Sequence, residues 1–95
     1  MYVHQLIGKA NSPQDAQQIC RLFGHSLSRI QEPGYARGFC AISQQDHVSI
    51  LIQEEWYNEA GLRAWQETEG YRQLQQTIQP LMEGIWEVTY YREAP

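Results

Sequence analysis

Four stretches of the chain alternate apolar and polar residues with a period of two, which is typical of β-strands. They run from Tyr2 to Gly8, from Tyr35 to Ser43, from His47 to Trp56 and from Ile85 to Arg92. The polar turn Gln44-Gln45-Asp46 lies between the second and third stretches and predicts a hairpin there. The sequence therefore predicts four strands.

The segment after Ser12 has apolar positions at helical spacing. Ser12 supplies an N-cap hydroxyl, and Pro13 takes the first helical position, where its missing N–H costs nothing. Pro33-Gly34 ends the pattern, which predicts one helix of about 18 residues. The apolar stripe of this helix consists of Ala16, Ile19, Cys20, Phe23, Leu27 and Ile30.

The segment from Asn58 to Ile78 also has helical spacing, but Gly61 and Gly70 interrupt it. Asn58 is a suitable N-cap for a first helical piece, and Thr68 is one for a second. We therefore expect two abutting helical pieces. Their apolar positions are Leu62, Trp65, Tyr71, Leu74 and Ile78.

The predicted order β-α-β-β-α-β is that of the α+β ferredoxin-like fold, a four-stranded antiparallel sheet with both helices on one face. A chain of 95 residues fits a single domain spanning residues 1–95. The helices cover only one sheet face, yet large apolar side chains, such as Leu51 and Phe39, alternate onto both. We therefore expect a homodimer, in which the uncovered face packs against the same face of a second copy.

Charge and composition exclude two classes of protein. Seven Lys and Arg residues are scattered singly among eleven Asp and Glu residues, for a net charge of -4, so nucleic acid binding is not expected. The sequence has no apolar run approaching the roughly 18 residues that span a bilayer, so no membrane association is expected. The N-terminal sequence MYVHQLIGKA lacks the basic region and apolar stretch of a secretion signal, which predicts a cytoplasmic protein.

Cys20 and Cys40 are the two cysteines of the chain. They form no CxxC motif and have no histidine at ligand spacing, so we expect buried, reduced side chains in a reducing compartment. His25 and His47 are expected to be exposed. Histidine pairs with the i, i+4 spacing of a helical metal site are missing from the sequence, and no metal is expected.

Ordered landmarks from Glu32 to Arg92 resemble the antibiotic biosynthesis monooxygenase family of small dimeric α/β-barrel proteins. Glu32-Pro33-Gly34 followed by Arg37 is similar to the family's E-P-G-x-x-R motif before the second strand, and Glu54-Glu55-Trp56 to its E-x-W strand end. The later landmarks are Glu59-Ala60, Leu62, Trp65, Thr68, Tyr71 and Pro80-Leu81, at offsets the family commonly shows.

This resemblance implies a homodimer with a small-molecule pocket between each sheet and its helices. Family members include cofactor-independent oxygenases of phenolic or quinol-type aromatics, relatives that degrade haem, and proteins without an established reaction. In cofactor-free oxygenation the substrate supplies the electrons, so no cofactor is expected. The protein then has to bind an electron-rich ring, remove a phenolic proton and exclude water.

Two of three features of the haem-degrading branch are missing. Trp65 matches the tryptophan of that branch, but Gln75 stands where the branch has its haem-ligating histidine. The stretch Val3-His4-Gln5 stands where the branch has a first-strand asparagine. The resemblance therefore argues against haem.

His4 and Trp65 are the candidate catalytic residues. His4 is either a general base facing a pocket or a strand histidine at a sheet edge or dimer contact. Trp65 is either the ring-stacking wall of a pocket or an aromatic core residue at helical spacing.

Arg37 and Tyr71 are the candidate substrate-binding residues. Arg37 either pairs with an anionic phenolate or carboxylate of a ligand or forms a structural ion pair with Glu54, Glu55 or Glu87. The Tyr71 hydroxyl either orients a quinol or packs at a surface with its OH in water.

Two functional classes remain. The first is a cofactor-independent monooxygenase of a small aromatic or quinol metabolite. The second is a non-catalytic homodimeric module of the same fold that binds a small ligand or acts as a scaffold. A closed cavity lined by Trp65 and a histidine or arginine favours the enzyme, whereas a filled interior favours the module.

Overall fold

The computed structural model describes residues 1–92. Within this range the prediction of four strands and three helical segments is confirmed. The elements are β1 (Tyr2–Ala10), α1 (Pro13–Leu27), β2 (Tyr35–Ile42), β3 (Ser49–Trp56), α2 (Glu59–Gln66), α3 (Glu69–Ile78), a 3-10 turn (Gln79–Leu81) and β4 (Met82–Tyr91).

The four strands form one sheet in the order β2-β3-β1-β4, and every neighbouring pair is antiparallel. The first and third strands are therefore interior, and β2 and β4 are the edges. This is the predicted α+β ferredoxin-like topology.

The predicted N-caps start the helices as expected. The side chain of Ser12 accepts a hydrogen bond from the backbone N–H of Asp15 at 3.1 Å, and that of Asn58 accepts from the N–H of Gly61 at 2.8 Å. Thr68 separates α2 from α3 and caps the latter. The division into two abutting pieces is confirmed, because each piece has its own cap.

The first helix is shorter than predicted, with 15 residues. It ends at Leu27, where the Ser28 hydroxyl donates a hydrogen bond to the backbone carbonyl of His25. A serine hydroxyl that hydrogen-bonds a carbonyl of the preceding turn disfavours continuation of the helix. Ile30 still packs against the core, which explains why the apolar spacing extended beyond the helix.

One sheet face packs against the helices and forms the core. Leu6, Ile50 and Ile52 from the two interior strands meet Ile19 and Phe23 of α1 there. All five side chains are at most 3% exposed. A second cluster, near the other end of the strands, contains Tyr2, Trp56, Leu62 and Trp65.

The opposite face, which we call the open face, carries apolar side chains that no helix covers. Its members are identified by the strand register, in which Ile7 lies opposite both Leu51 and Trp86, and Phe39 lies opposite Gln53. Trp86 is 67% exposed. The other exposed apolar residues of this face are Ile7, Phe39, Val88 and Tyr90.

The prediction of two reduced cysteines is wrong, because Cys20 and Cys40 form a disulfide. The bond joins α1 to the edge strand β2, with a Cα–Cα distance of 5.3 Å. Disulfides persist mainly in oxidising environments. The cysteines therefore give no support to the predicted cytoplasmic location, which stays a prediction. Among the described residues, no helix is long and apolar enough to cross a membrane.

Removing this disulfide is expected to lower the free energy of unfolding by about 3 kcal/mol, because the bond closes a loop with a sequence separation of 20 residues. For a domain of this size, that loss lowers the melting temperature by roughly 12–24 °C. Thermal unfolding of the wild type with and without reductant measures the effect. The double variant Cys20→Ser/Cys40→Ser is the control, since reductant should leave its melting temperature unchanged. Equal melting temperatures for the oxidised and reduced wild type would contradict this stabilising role.

Candidate functional site

His4 lies at the centre of a hydrogen-bonded group on the helix-facing side of the sheet. Its Nδ1 is 3.2 Å from Oε1 of Glu54 on β3, and its Nε2 is 2.9 Å from Oε1 of Glu87 on β4. His4 and Glu54 are each only 1% exposed. We call these three residues the Glu54–His4–Glu87 chain.

Strand register explains why these side chains meet. His4 pairs directly with Glu54 on one side, and with Thr89 on the other, two residues from Glu87. Residues two apart on a strand share a face, so Glu87 reaches His4 diagonally. The indole Nε1 of Trp56 also donates to Glu54 Oε1, at 3.3 Å. His4 thus lies on an interior strand, on the helix-facing side of the sheet. The alternative, a histidine at a sheet edge or on the open face, is not what the structure shows.

The two carboxylates favour the charged form of His4. Burial alone would lower the pKa of its imidazole, but hydrogen bonds and charge attraction from Glu54 and Glu87 more than offset this and raise the pKa above its ordinary value. A charged imidazole donates from both ring nitrogens and has no lone pair to accept a proton. Both ring nitrogens of His4 are already hydrogen-bonded to these carboxylates, so neither is free to take a proton from a ligand.

A pocket of about 250 Å³, which we call the His4 pocket, lies between the sheet and α2, and the Glu54–His4–Glu87 chain reaches its wall. The side chain of Glu87 is 55% exposed, so it is the member of the chain that a ligand in the pocket can touch. Known ligand pockets of about 300–1,000 Å³ hold drug-sized molecules, so this volume suits a molecule with one ring. The lining consists of Tyr2, His4, Glu59, Leu62, Arg63, Gln66, Glu87 and Thr89.

Tyr71 lies beside this pocket rather than in its wall. Burial, together with the negative charges of Glu87 and Glu54, raises the pKa of Tyr71 to about 12. The nearby side chain of Gln66, which does line the pocket, partly opposes this rise in pKa. The phenol therefore stays protonated and is positioned next to Gln66. Its role in orienting a substrate stays a prediction.

Trp65 is a core aromatic that also lines a different pocket. It is 9% exposed, packs in the cluster that contains Tyr2 and Leu62, and meets the ring of Tyr71 edge to face at 5.8 Å. The groove it lines, with His25 and Arg29, is open rather than the closed cavity that the enzyme hypothesis expected. The structure thus does not bring Trp65 and His4 into one pocket wall.

Arg37 lies on the open face, on the side of the sheet opposite His4. Its Nε donates to Oε2 of Glu55 at 2.9 Å, and Arg92 also pairs with this carboxylate. Glu55 is 3% exposed, and its pKa is held below the ordinary value, chiefly by the Arg37 hydrogen bond. The structural ion pair considered from the sequence is present. A substrate-binding role for Arg37 in the His4 pocket does not fit this placement.

Sequence reasoning missed the roles of Glu54 and Glu87, while the expected exposure of His25 and His47 is confirmed. One signal was available for Glu54. The period of two places it on the same face as Ile50 and Ile52, which are buried. A carboxylate on a core-facing position needs a partner.

No protein-family model and no curated protein sequence matches this chain. Solved structures do match it in fold. Two of them are named as putative antibiotic biosynthesis monooxygenases. One, from Nitrosomonas europaea, has a TM-score of 0.84 and 21% identity over 97% of this chain and 98% of that chain. The other, from Deinococcus radiodurans, has a TM-score of 0.85 and 18% identity over 100% and 95%.

SnoaB, a cofactor-independent oxygenase from Streptomyces nogalater, matches with a TM-score of 0.79 and 11% identity, over 99% of this chain and 93% of that chain. At these identities the matches establish a shared fold. The resemblance to the antibiotic biosynthesis monooxygenases is thus confirmed at the level of the fold, and the chemistry has to be argued from the site.

Proposed function

We propose that this protein is a cofactor-independent monooxygenase that oxidises a single-ring phenol or quinol in the His4 pocket. The observation that carries the proposal is the exposed carboxylate of Glu87 at the pocket wall, hydrogen-bonded to a buried histidine whose pKa is raised above its ordinary value. The fold shared with a cofactor-independent oxygenase supports the same class of reaction.

Glu87, rather than His4, accepts the proton in this proposal. His4 occupies Oε1 of Glu87, which leaves Oε2 for the hydroxyl of a bound phenol. The raised pKa of His4 favours its protonated form, and a protonated His4 behind the carboxylate favours the negative charge that develops on the substrate oxygen. The sequence-based role of His4 as the base is replaced by a role in positioning and electrostatics.

The reaction needs only the substrate and dioxygen. Glu87 takes the phenol proton, and the electron-rich phenolate transfers an electron to O2. The resulting radicals combine at the para carbon as a hydroperoxide. Loss of the proton on that carbon and cleavage of the O–O bond release water and leave a carbonyl. Overall, one phenol and one O2 give one para-quinone and one water, with all four electrons supplied by the ring. A quinol, whose para carbon already carries oxygen, reacts in the same way at a free ortho carbon, so that one quinol and one O2 give one hydroxyquinone and one water.

The proposal includes a homodimer that buries the open face. Trp86, Phe39 and Ile7 form an apolar surface on a sheet that has helices on its other side only. Pairing with the same face of a second copy removes both surfaces from water. It leaves the His4 pocket, which is on the helix side, free to take substrate.

Oxygen uptake with a panel of single-ring phenols and hydroquinones tests this activity. The protein, treated with a chelator and without added cofactor, is expected to consume one O2 per quinone formed, above the rate of autoxidation. The absence of enzyme-dependent uptake across the panel, together with saturable binding of the same compounds, would favour the non-catalytic ligand-binding module. The non-catalytic function stays a candidate because both ring nitrogens of His4 are already hydrogen-bonded, so this histidine has no nitrogen free to act as a base.

A further inference from the structure

A groove of about 410 Å³ lies between α1 and α3, and the C-terminal end of α2 closes one end of it. Apolar contact comes from Leu22, Leu74 and Trp65, while Arg29 supplies a positive charge at its rim and His25 an imidazole ring. We call this the α1–α3 groove. Its volume falls within the range of small-molecule pockets.

The α1–α3 groove is separate from the site of the proposed function. The two pockets have no lining residue in common. The His4 pocket is lined by the carboxylates of Glu59 and Glu87. The groove is lined by no carboxylate within residues 1–92, although the chain as a whole carries a net charge of -4.

Its charge and shape together select a class of ligand. The guanidinium of Arg29 is always charged and binds a carboxylate through paired N–H groups. The adjacent apolar side chains offer a surface for a flat ring, and the indole of Trp65 is the largest of them. We propose that the α1–α3 groove is a second binding site, which takes a small aromatic carboxylate.

Trp65 provides an independent sign of a missing partner. Its indole Nε1–H is buried and makes no hydrogen bond to any of the described residues. An unpaired buried donor is costly, and buried indoles usually have an acceptor. Because this nitrogen is buried, an acceptor from the groove reaches it only if the surrounding side chains adjust when the ligand binds.

Binding of 2-naphthoate, measured by isothermal titration calorimetry against 2-naphthamide, tests the proposal. The acid is expected to bind saturably at one molecule per chain and at least about tenfold more tightly than the amide, because the charge-assisted bond to Arg29 is lost in the amide. The variant Arg29→Gln should remove this preference. Arg21→Gln is the matched control, since Arg21 is an exposed arginine of α1 outside the groove.

Two variants locate the ligand. Trp65→Phe keeps a ring but removes the indole N–H, and should weaken binding of the acid severalfold. Glu87→Gln changes only the His4 pocket and should leave it unchanged. The proposal is overturned by equal affinity for acid and amide, by a preference that survives Arg29→Gln, by loss of binding in Glu87→Gln, or by no saturable binding in the wild type.

Discussion

The variant His4→Ala is expected to lose about 3–5 kcal/mol of the free energy of unfolding, because it breaks a buried pair and leaves the other charge without a partner. The partner left behind is Glu54, which is 1% exposed and has a second oxygen, Oε2, that already lacks a hydrogen bond within residues 1–92. Chemical denaturation at neutral pH measures this loss.

The pH dependence of the stability loss distinguishes loss of the charge pair from the cost of the cavity that the smaller side chain leaves. The pKa of His4 is raised in the folded state, so its stabilisation is fully present below the unfolded pKa of about 6.5 and is lost as pH rises through the folded pKa. The stability difference between wild type and His4→Ala should therefore shrink from pH 6 to pH 9, by at most about 1.4 kcal/mol per pH unit.

The control is His25→Ala, at an exposed histidine of α1, which should change stability by less than about 0.5 kcal/mol. A loss of that small size for His4→Ala, or a difference that grows with pH, would contradict the charged Glu54–His4–Glu87 chain.

The variant Glu87→Gln is expected to lower the turnover of a phenol about 10²- to 10⁴-fold, which is the usual contribution of a positioned general base. The amide oxygen of glutamine can still accept the hydrogen bond from Nε2 of His4, and the residue is exposed, so the fold should tolerate the change. Oxygen uptake and quinone formation under saturating substrate measure the loss.

Glu83→Gln is the matched control, because Glu83 is an exposed carboxylate on the same strand that does not line the pocket. Its turnover should equal that of the wild type. Full activity in Glu87→Gln would remove this carboxylate from the mechanism and leave the fold as the main argument for oxygenation.

The elements of this fold follow from local sequence patterns. Alternation predicted the strands, and the cap residues Ser12, Asn58 and Thr68 predicted the helix starts, because both signals act over a few residues. The fold class follows from the order of the elements. The end of α1 was predicted too late, since Ile30 packs on the core without being helical.

The disulfide and the site depend on contacts between distant segments. Cys20 and Cys40 come together only because α1 packs on the edge of the sheet at β2. His4 was found from the sequence as a titratable residue on a strand. Its partners Glu54 and Glu87 depend on the register of two other strands against β1, which local patterns do not determine. The same register places Arg37 on the far face.

Sedimentation equilibrium tests most directly the central claim that the open face is covered by a second copy of the chain. The wild type is expected to sediment as a dimer of about 22 kDa, twice the chain mass of 11.1 kDa. Leu51→Glu, which places a charge on the open face opposite Ile7 and Ala41, should sediment as a monomer. Gln76→Glu, at an exposed position of α3, should remain dimeric. A wild-type protein that stays a single 11.1 kDa species at high concentration would contradict the account.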